Sequence, residues 1–207
     1  MAALVALLAV AAVAAGVFVG LQSGNPLPFF AQPGRAAATE KPPPGPTDLN
    51  GVPLSYWPDA CRLVSGSDVS QAFGGAEFTP AQPGSGRMGA LTLPRPTTCV
   101  YQSTDYQLGA TVDVTVMSVS RNTPDAARLF ASARRVGAGG PTALPGLGQQ
   151  AVWFGGAMAE VRVQQRRVVY QIGVALAGSQ TASAPDRQQR ELGAAESLAR
   201  IAAGRIP

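Results

Sequence analysis

Cys61 and Cys99 are the only two cysteines of this chain, and whether they are bonded to each other constrains the fold more than any other feature. Cys61 lies in "DACRLVSGSDVSQAFGG" (Asp59 to Gly75). Ser67 is the expected N-cap there, for a short helix running through Asp68, Val69, Ala72 and Phe73 and stopped by Gly74 and Gly75. Cys99 begins "CVYQ", a β-branched and aromatic stretch that reads as a strand. A bond would therefore clip the entry to a helix onto a sheet. Closing that loop is worth roughly 4 kcal/mol on the chain-entropy model, less any native strain. Two thiols are too few ligands for a metal site, and none is expected. The alternative is a pair of free, buried cysteines in a cytosolic protein.

What precedes the cysteines favours the bond. Met1 to Leu21, "MAALVALLAVAAVAAGVFVGL", carries no charge, and about 20 helical residues span a ~30 Å hydrocarbon core. Residues 1–21 are read as a transmembrane anchor. The alternative is a cleaved signal peptide. No Lys or Arg precedes the apolar run, however, and its small-x-small triplets, Ala9 to Ala11 and Ala12 to Ala14, fall inside it. Arg35 and Lys41 on the far side are weak evidence, under the positive-inside rule, for the opposite orientation. Residues 22–56, with a triple proline at Pro42 to Pro44, read as a linker that extends about 3.1 Å per residue. Residues 57–207 are left as one domain. Behind an anchor and a linker, a lone cysteine pair fits a disulfide in an oxidising, extracytoplasmic space.

Histidine is absent from the sequence and Lys41 is its single lysine. Histidine-based triads, Cys/His dyads, histidine-ligated zinc and histidine proton shuttles are thereby excluded. A Ser/Lys dyad or a Schiff base would have to use Lys41, in the linker. Carboxylates such as Asp105, Asp113 and Glu160 remain, in no recognisable catalytic motif. Gly146 to Gly148, "GLG", precedes a strand instead of following one, so it is a turn and not a phosphate-cradling loop. No cofactor is expected.

The hydrophobic periods place the remaining elements. Val112, Val114 and Val116 alternate with Thr111, Asp113 and Thr115, as in a half-buried strand with Asp113 on the solvated side. A helix is predicted after Thr123 as N-cap and Pro124, with Leu129, Phe130, Ala133 and Val136 on one face, ending at Gly137. Val161 and Val163, then Val168, Tyr170, Ile172, Val174 and Leu176, read as a hairpin turning at Gln165 and Arg166. Leu192, Ala195, Leu198, Ala199 and Ala202 give a closing amphipathic helix with Gly193 as its soft spot. The expected fold is α+β: an antiparallel sheet with helices packed on one face, one disulfide and an N-terminal transmembrane helix.

The order "DACRLVSGSDVSQAFGG", "CVYQ", "TPDAARLFASAR", "LPGLGQQAVW" and "AAESLARIAAGRI" resembles a family of actinobacterial extracytoplasmic domains of unknown function, many of them lipoproteins. The layout is also similar to that of the sensor domains of some mycobacterial receptor kinases. The resemblance covers roughly Pro58 to Ile206 and implies that Cys61 and Cys99 are the family's disulfide pair. It implies no catalytic residues. This chain departs from the lipoprotein members in having an uncharged helix where they have a lipidated cysteine.

Charge gives one more lead. Gly51 to Ser120 holds three arginines and five acids, whereas Arg121 to Pro207 holds eleven arginines and five acids. The basic second half suits anionic lipid headgroups or an acidic envelope polymer, or is an ordinary solvated surface. Nucleic acid is not expected outside the cytoplasm. Trp57 and Trp153 are the candidates to line a binding groove, the alternative being that Trp153 is core and Trp57 covers a sheet edge. The functional expectation is a membrane-anchored, non-catalytic binding or sensing domain. The alternatives are a cell-envelope hydrolase using a carboxylate pair and a purely structural envelope protein.

Overall fold

A computed structural model describes residues 45–88, 91–136, 140–177 and 183–207, all within the compact unit Pro43–Pro207. The expected anchor, residues 1–21, and the linker as far as residue 44 lie outside the described residues. Among the described residues, no helix is long and apolar enough to cross a membrane.

Seven antiparallel strands form one sheet. In chain order they are β1 (Gln82–Met88), β2 (Leu91–Gln102), β3 (Ala110–Val119), β4 (Thr142–Ala143), β5 (Gln150–Phe154), β6 (Ala159–Gln165) and β7 (Val168–Leu176). Their order in space is β1-β2-β3-β7-β6-β5-β4. Two meanders, β1 to β3 and β4 to β7, thus meet along the long β3–β7 ladder, where Val112 pairs with Val174 and Val114 with Ile172. β3 alternates as its sequence predicts, with Val112, Val114 and Val116 buried. The β6–β7 hairpin also forms, but turns one residue later than expected, at Arg166 and Arg167, with Arg166 in the left-handed region at φ 52°.

Among the described residues four α-helices accompany the sheet: α1 (Ala60–Leu63), α2 (Gly66–Ala72), α3 (Thr123–Ala133) and α4 (Ala184–Arg205). α1, α2 and α4 share one face. There the alanine stripe of α4 (Ala195, Ala199, Ala202) and Leu198 pack with Val161, Tyr170 and Ile172 in the main core. Small side chains let the helix sit close to the strands, close enough for the Tyr170 hydroxyl to donate to the Ala199 carbonyl at 2.7 Å. α3 does not join them. Its Phe130 packs with Val152, Phe154 and Val169, which point to the opposite face and form a second cluster. The expectation of helices on a single face is therefore corrected: α3 crosses from β3 to β4 over the far side. Arg162, only 6% exposed, fastens it there by donating to the carbonyls of Ala133 and Val136 while lying 4.4 Å above the Phe154 ring.

Three local readings shift. The N-cap of α2 is Ser65, not Ser67. Ser65 and Asp68 form a reciprocal capping box, so the Asp68 carboxylate takes the Ser65 N–H at 2.7 Å. The cap of α3 is Asn122 and Thr123 falls in the first turn; Ala126 and Phe130 are its buried residues, while Leu129 and Val136 stay exposed. Residues 45–56, assigned to the linker by composition, belong to the packed domain. Val52 and Leu54 enter the main core, and Leu54–Tyr56 forms a 3₁₀ turn.

Cys61 in α1 and Cys99 in β2 are disulfide-bonded, with α-carbons 5.1 Å apart, inside the usual range of about 4.4–6.8 Å. The bond joins α1 to the sheet, and Cys99 is fully buried.

Candidate functional site

Trp57 and Trp153 are both part of the packing. Trp57 is 4% exposed, and its indole N–H donates to the Asp48 carboxylate at 3.1 Å. The other oxygen of that buried carboxylate holds the N–H groups of Asn50 and Val52. Trp153 is half-buried against the main core, paired with Val161 across β5 and β6.

A cleft of about 650 Å³ opens at the other end of this entry segment. Tyr56, Asp59, Arg62, Arg95, Arg167 and Arg205 line it, together with Ser55, Leu63 and Pro207. The polar members come from five pieces of the fold. Tyr56 ends the 3₁₀ turn, Asp59 caps α1 by accepting the Cys61 N–H at 2.9 Å, and Arg62 follows on the same helix. Arg95 sits in the irregular part of β2, where the β1–β2 register shifts. Arg167 belongs to the β6–β7 turn and Arg205 to the last turn of α4.

The four guanidinium groups are held differently. Arg205 is committed to Asp68 and to the Leu63 carbonyl. The Asp68 carboxyl is held at about 2, chiefly by the Arg205 hydrogen bonds, with Ser65 adding to the effect against the opposing influence of burial. Arg62 is paired loosely with Asp59, its Nε 3.8 Å from the carboxylate and its side chain 89% exposed. Arg95 Nη1 donates to the carbonyls of Trp57 at 3.0 Å and Ser55 at 3.5 Å. Arg167 lies 4.2 Å over the Tyr56 ring, an arrangement that leaves its in-plane N–H groups available. Among the described residues, neither Arg95 nor Arg167 pairs with a carboxylate. The arrangement is a water-accessible cleft with an excess of fixed cationic donors, suited to binding an anion.

The sequence-predicted acids separate. Asp105 caps the β2–β3 turn at the surface. Asp113 and Glu160 come together, since both stand opposite Gly173, one on each side of β7. Two strand spacings put their backbones about 10 Å apart on one face. The half-buried Asp113 is raised above the ordinary carboxylate value by desolvation; the Thr115 hydroxyl, 2.7 Å away, opposes the rise and Glu160 adds to it. Glu160 is paired with Arg162 at 2.8 Å. Gly146 and Gly148 adopt positive φ as turn glycines; a Cβ at Gly148 would meet the Gln164 carbonyl oxygen at 2.7 Å. Among the described residues, no cluster of three potential ligands could hold a metal ion.

The arginine cleft was not visible in the chain as a motif. Arg62 and Arg95 come from the acidic half and Arg167 and Arg205 from the basic half, so the charge asymmetry signals only part of it. No family model, no curated protein and no solved structure matches this chain.

Proposed function

We propose that the chain is a membrane-anchored, extracytoplasmic domain that binds or senses an anionic ligand of the cell envelope and does not catalyse a reaction. The observation that carries this reading is the cleft, with four arginines against one lining aspartate side chain, two of the arginines fixed and unpaired with acid. The compartment is supported by the disulfide between the only two cysteines. Tethering is supported by the uncharged run from Met1 to Leu21.

Two measurements test it. The full chain should sediment with vesicles that contain anionic lipid, or with an acidic envelope polymer, and not with neutral vesicles; the binding should weaken steeply with salt. In cells the protein should resist alkaline and high-salt extraction from membranes. Equal binding to neutral and anionic surfaces would sink the ligand reading. Recovery in the medium with a new N-terminus before Arg35 would replace the anchor by a cleaved signal peptide.

A second reading, hydrolysis of envelope material, is favoured by the Asp113–Glu160 pair, because one carboxyl is raised and the other stays on the same face. Turnover of wall glycans by the wild type that disappears in Asp113→Asn and in Glu160→Gln would establish it. The ion pair of Glu160 with Arg162 argues for a structural role.

A further inference from the structure

We infer that the ligand group of the cleft is a dianionic phosphate monoester, clamped between Arg95 and Arg167, with Arg62 and Arg205 outside the clamp; this rests on the anion-binding reading above. The charges within the cleft select the ligand. Arg205 is neutralised by Asp68 at 2.6 and 3.0 Å, and Arg62 is offset by Asp59. Two uncompensated guanidinium charges remain. Pro207, exposed at the rim, brings no side-chain charge. Two fixed positive charges complement a group of charge close to −2, which a phosphate monoester carries near neutral pH and a phosphodiester or a carboxylate does not.

The anchoring of the two side chains agrees with this. Both flank the 3₁₀ turn that carries Tyr56, Arg95 through the carbonyls on either side of that residue and Arg167 through its ring. Their rotamers are therefore largely fixed before any ligand arrives, which lowers the ordering cost of binding. Each planar fork can address two oxygens, so the pair provides more donors than a carboxylate has oxygens, and a tetrahedral anion uses them better.

The probes are methyl phosphate, dimethyl phosphate and acetate, titrated into the full chain, alongside phosphatidylcholine vesicles doped with phosphatidic acid or with phosphatidylglycerol. Methyl phosphate should bind best, and its affinity should rise between pH 5 and 7 as the second proton leaves the phosphate, with pKa about 6. The chain has no histidine, so this rise belongs to the ligand and not to the side chains around it, which are Tyr56, Asp59 and the four arginines. Arg95→Gln and Arg167→Gln should each weaken binding about ten- to a hundred-fold, the loss of a charge-assisted contact. Arg62→Gln should change it less than three-fold, and only at low salt. Arg167 lies in a turn, so Arg167→Lys, checked by thermal unfolding, separates loss of the fork from loss of the fold.

Binding of free methyl phosphate and of phosphatidic acid vesicles would support the monoester; vesicles alone would mark a lipid headgroup as its source, and free ester alone a soluble or polymeric one. Equal, arginine-dependent binding of monoester, diester and acetate would overturn the monoester assignment and leave the anion reading standing. No anion binding at low salt would overturn both. Selective monoester binding unaffected in Arg95→Gln and Arg167→Gln would overturn the clamp.

Discussion

Arg205, in the last turn of α4, meets the Asp68 carboxylate of α2 with both arms of its guanidinium, Nη1 2.6 Å from Oδ2 and Nη2 3.0 Å from Oδ1. The same arginine donates to the Leu63 carbonyl at the end of α1 at 3.1 Å. One side chain thus ties the C-terminal helix to both short helices that follow the entry segment, and it walls the cleft without being free to bind there.

The pair predicts an acid-labile increment of stability. Asp68 is held at about 2 against an ordinary 3.8. A depressed folded-state value means the stabilisation is complete above about pH 4 and fades as pH falls toward 2. Solvent access keeps it near 1 kcal/mol. Asp68→Ala should cost more than Arg205→Gln, because it also dismantles the capping box with Ser65, itself worth about 0.5–2 kcal/mol. Urea unfolding at pH 7 and pH 2.5 should show the gap between wild type and Arg205→Gln closing at the lower pH. A gap that persists would show that the carboxylate is not the partner that matters.

Asp113 predicts the opposite sign. Its carboxyl is raised by burial, so the charged form opposes folding at neutral pH, and stability is regained as pH falls through its folded-state value. Asp113→Asn removes the charge and keeps an acceptor for the Thr115 hydroxyl. The variant should melt higher than wild type at pH 7, with the difference vanishing in acid. A lower melting temperature would mean that the charge is stabilised by something not captured in its contacts.

Much of the fold was legible where local rules and burial agree. The Val112, Val114, Val116 alternation, the β6–β7 hairpin and the α4 stripe all follow from period and composition. β1 was missed because "QPGSGRM" has no β-branched or aromatic residue; it is made a strand by pairing with β2. The Ser65 cap is legible as well, since Ser-x-x-Asp is a capping-box signature. The side of the sheet that α3 takes was not legible, because an apolar stripe says that a helix is buried and not against which face. The cleft was least legible of all. Arg62, Arg95, Arg167 and Arg205 share no spacing, and only the disulfide, the register shift in β2 and the end of α4 bring them together.

Gly193, in α4, is exposed and nothing stands within 4 Å of where its Cβ would be. Its backbone is already helical, so Gly193→Ala costs no contact and reduces the entropy of the unfolded chain. The substitution should stabilise the domain by about 0.5–1 kcal/mol in denaturant unfolding. Gly148→Ala should do the reverse, because Gly148 has φ 59° and the added Cβ would press on Val163 and the Gln164 carbonyl oxygen.

The disulfide offers the sharpest test of how stability and site are connected. Cys61 shares α1 with Arg62 and follows Asp59, while Cys99 shares β2 with Arg95, so the bond fixes two walls of the cleft to each other. Cys61→Ser and Cys99→Ser should each lower stability by about 2–5 kcal/mol. The double variant should cost little more than either alone, because all three delete one interaction. Thiol titration of the denatured, unreduced protein should find no free cysteine. Under native conditions where the variants remain folded, anion affinity should fall with the bond, since α1 follows directly on the segment whose Ser55 and Trp57 carbonyls hold Arg95. A variant as stable as wild type would remove the structural role of the bond, and two free thiols in protein taken from the cell envelope would remove the main physical reason for proposing that this domain lies outside the cytoplasm.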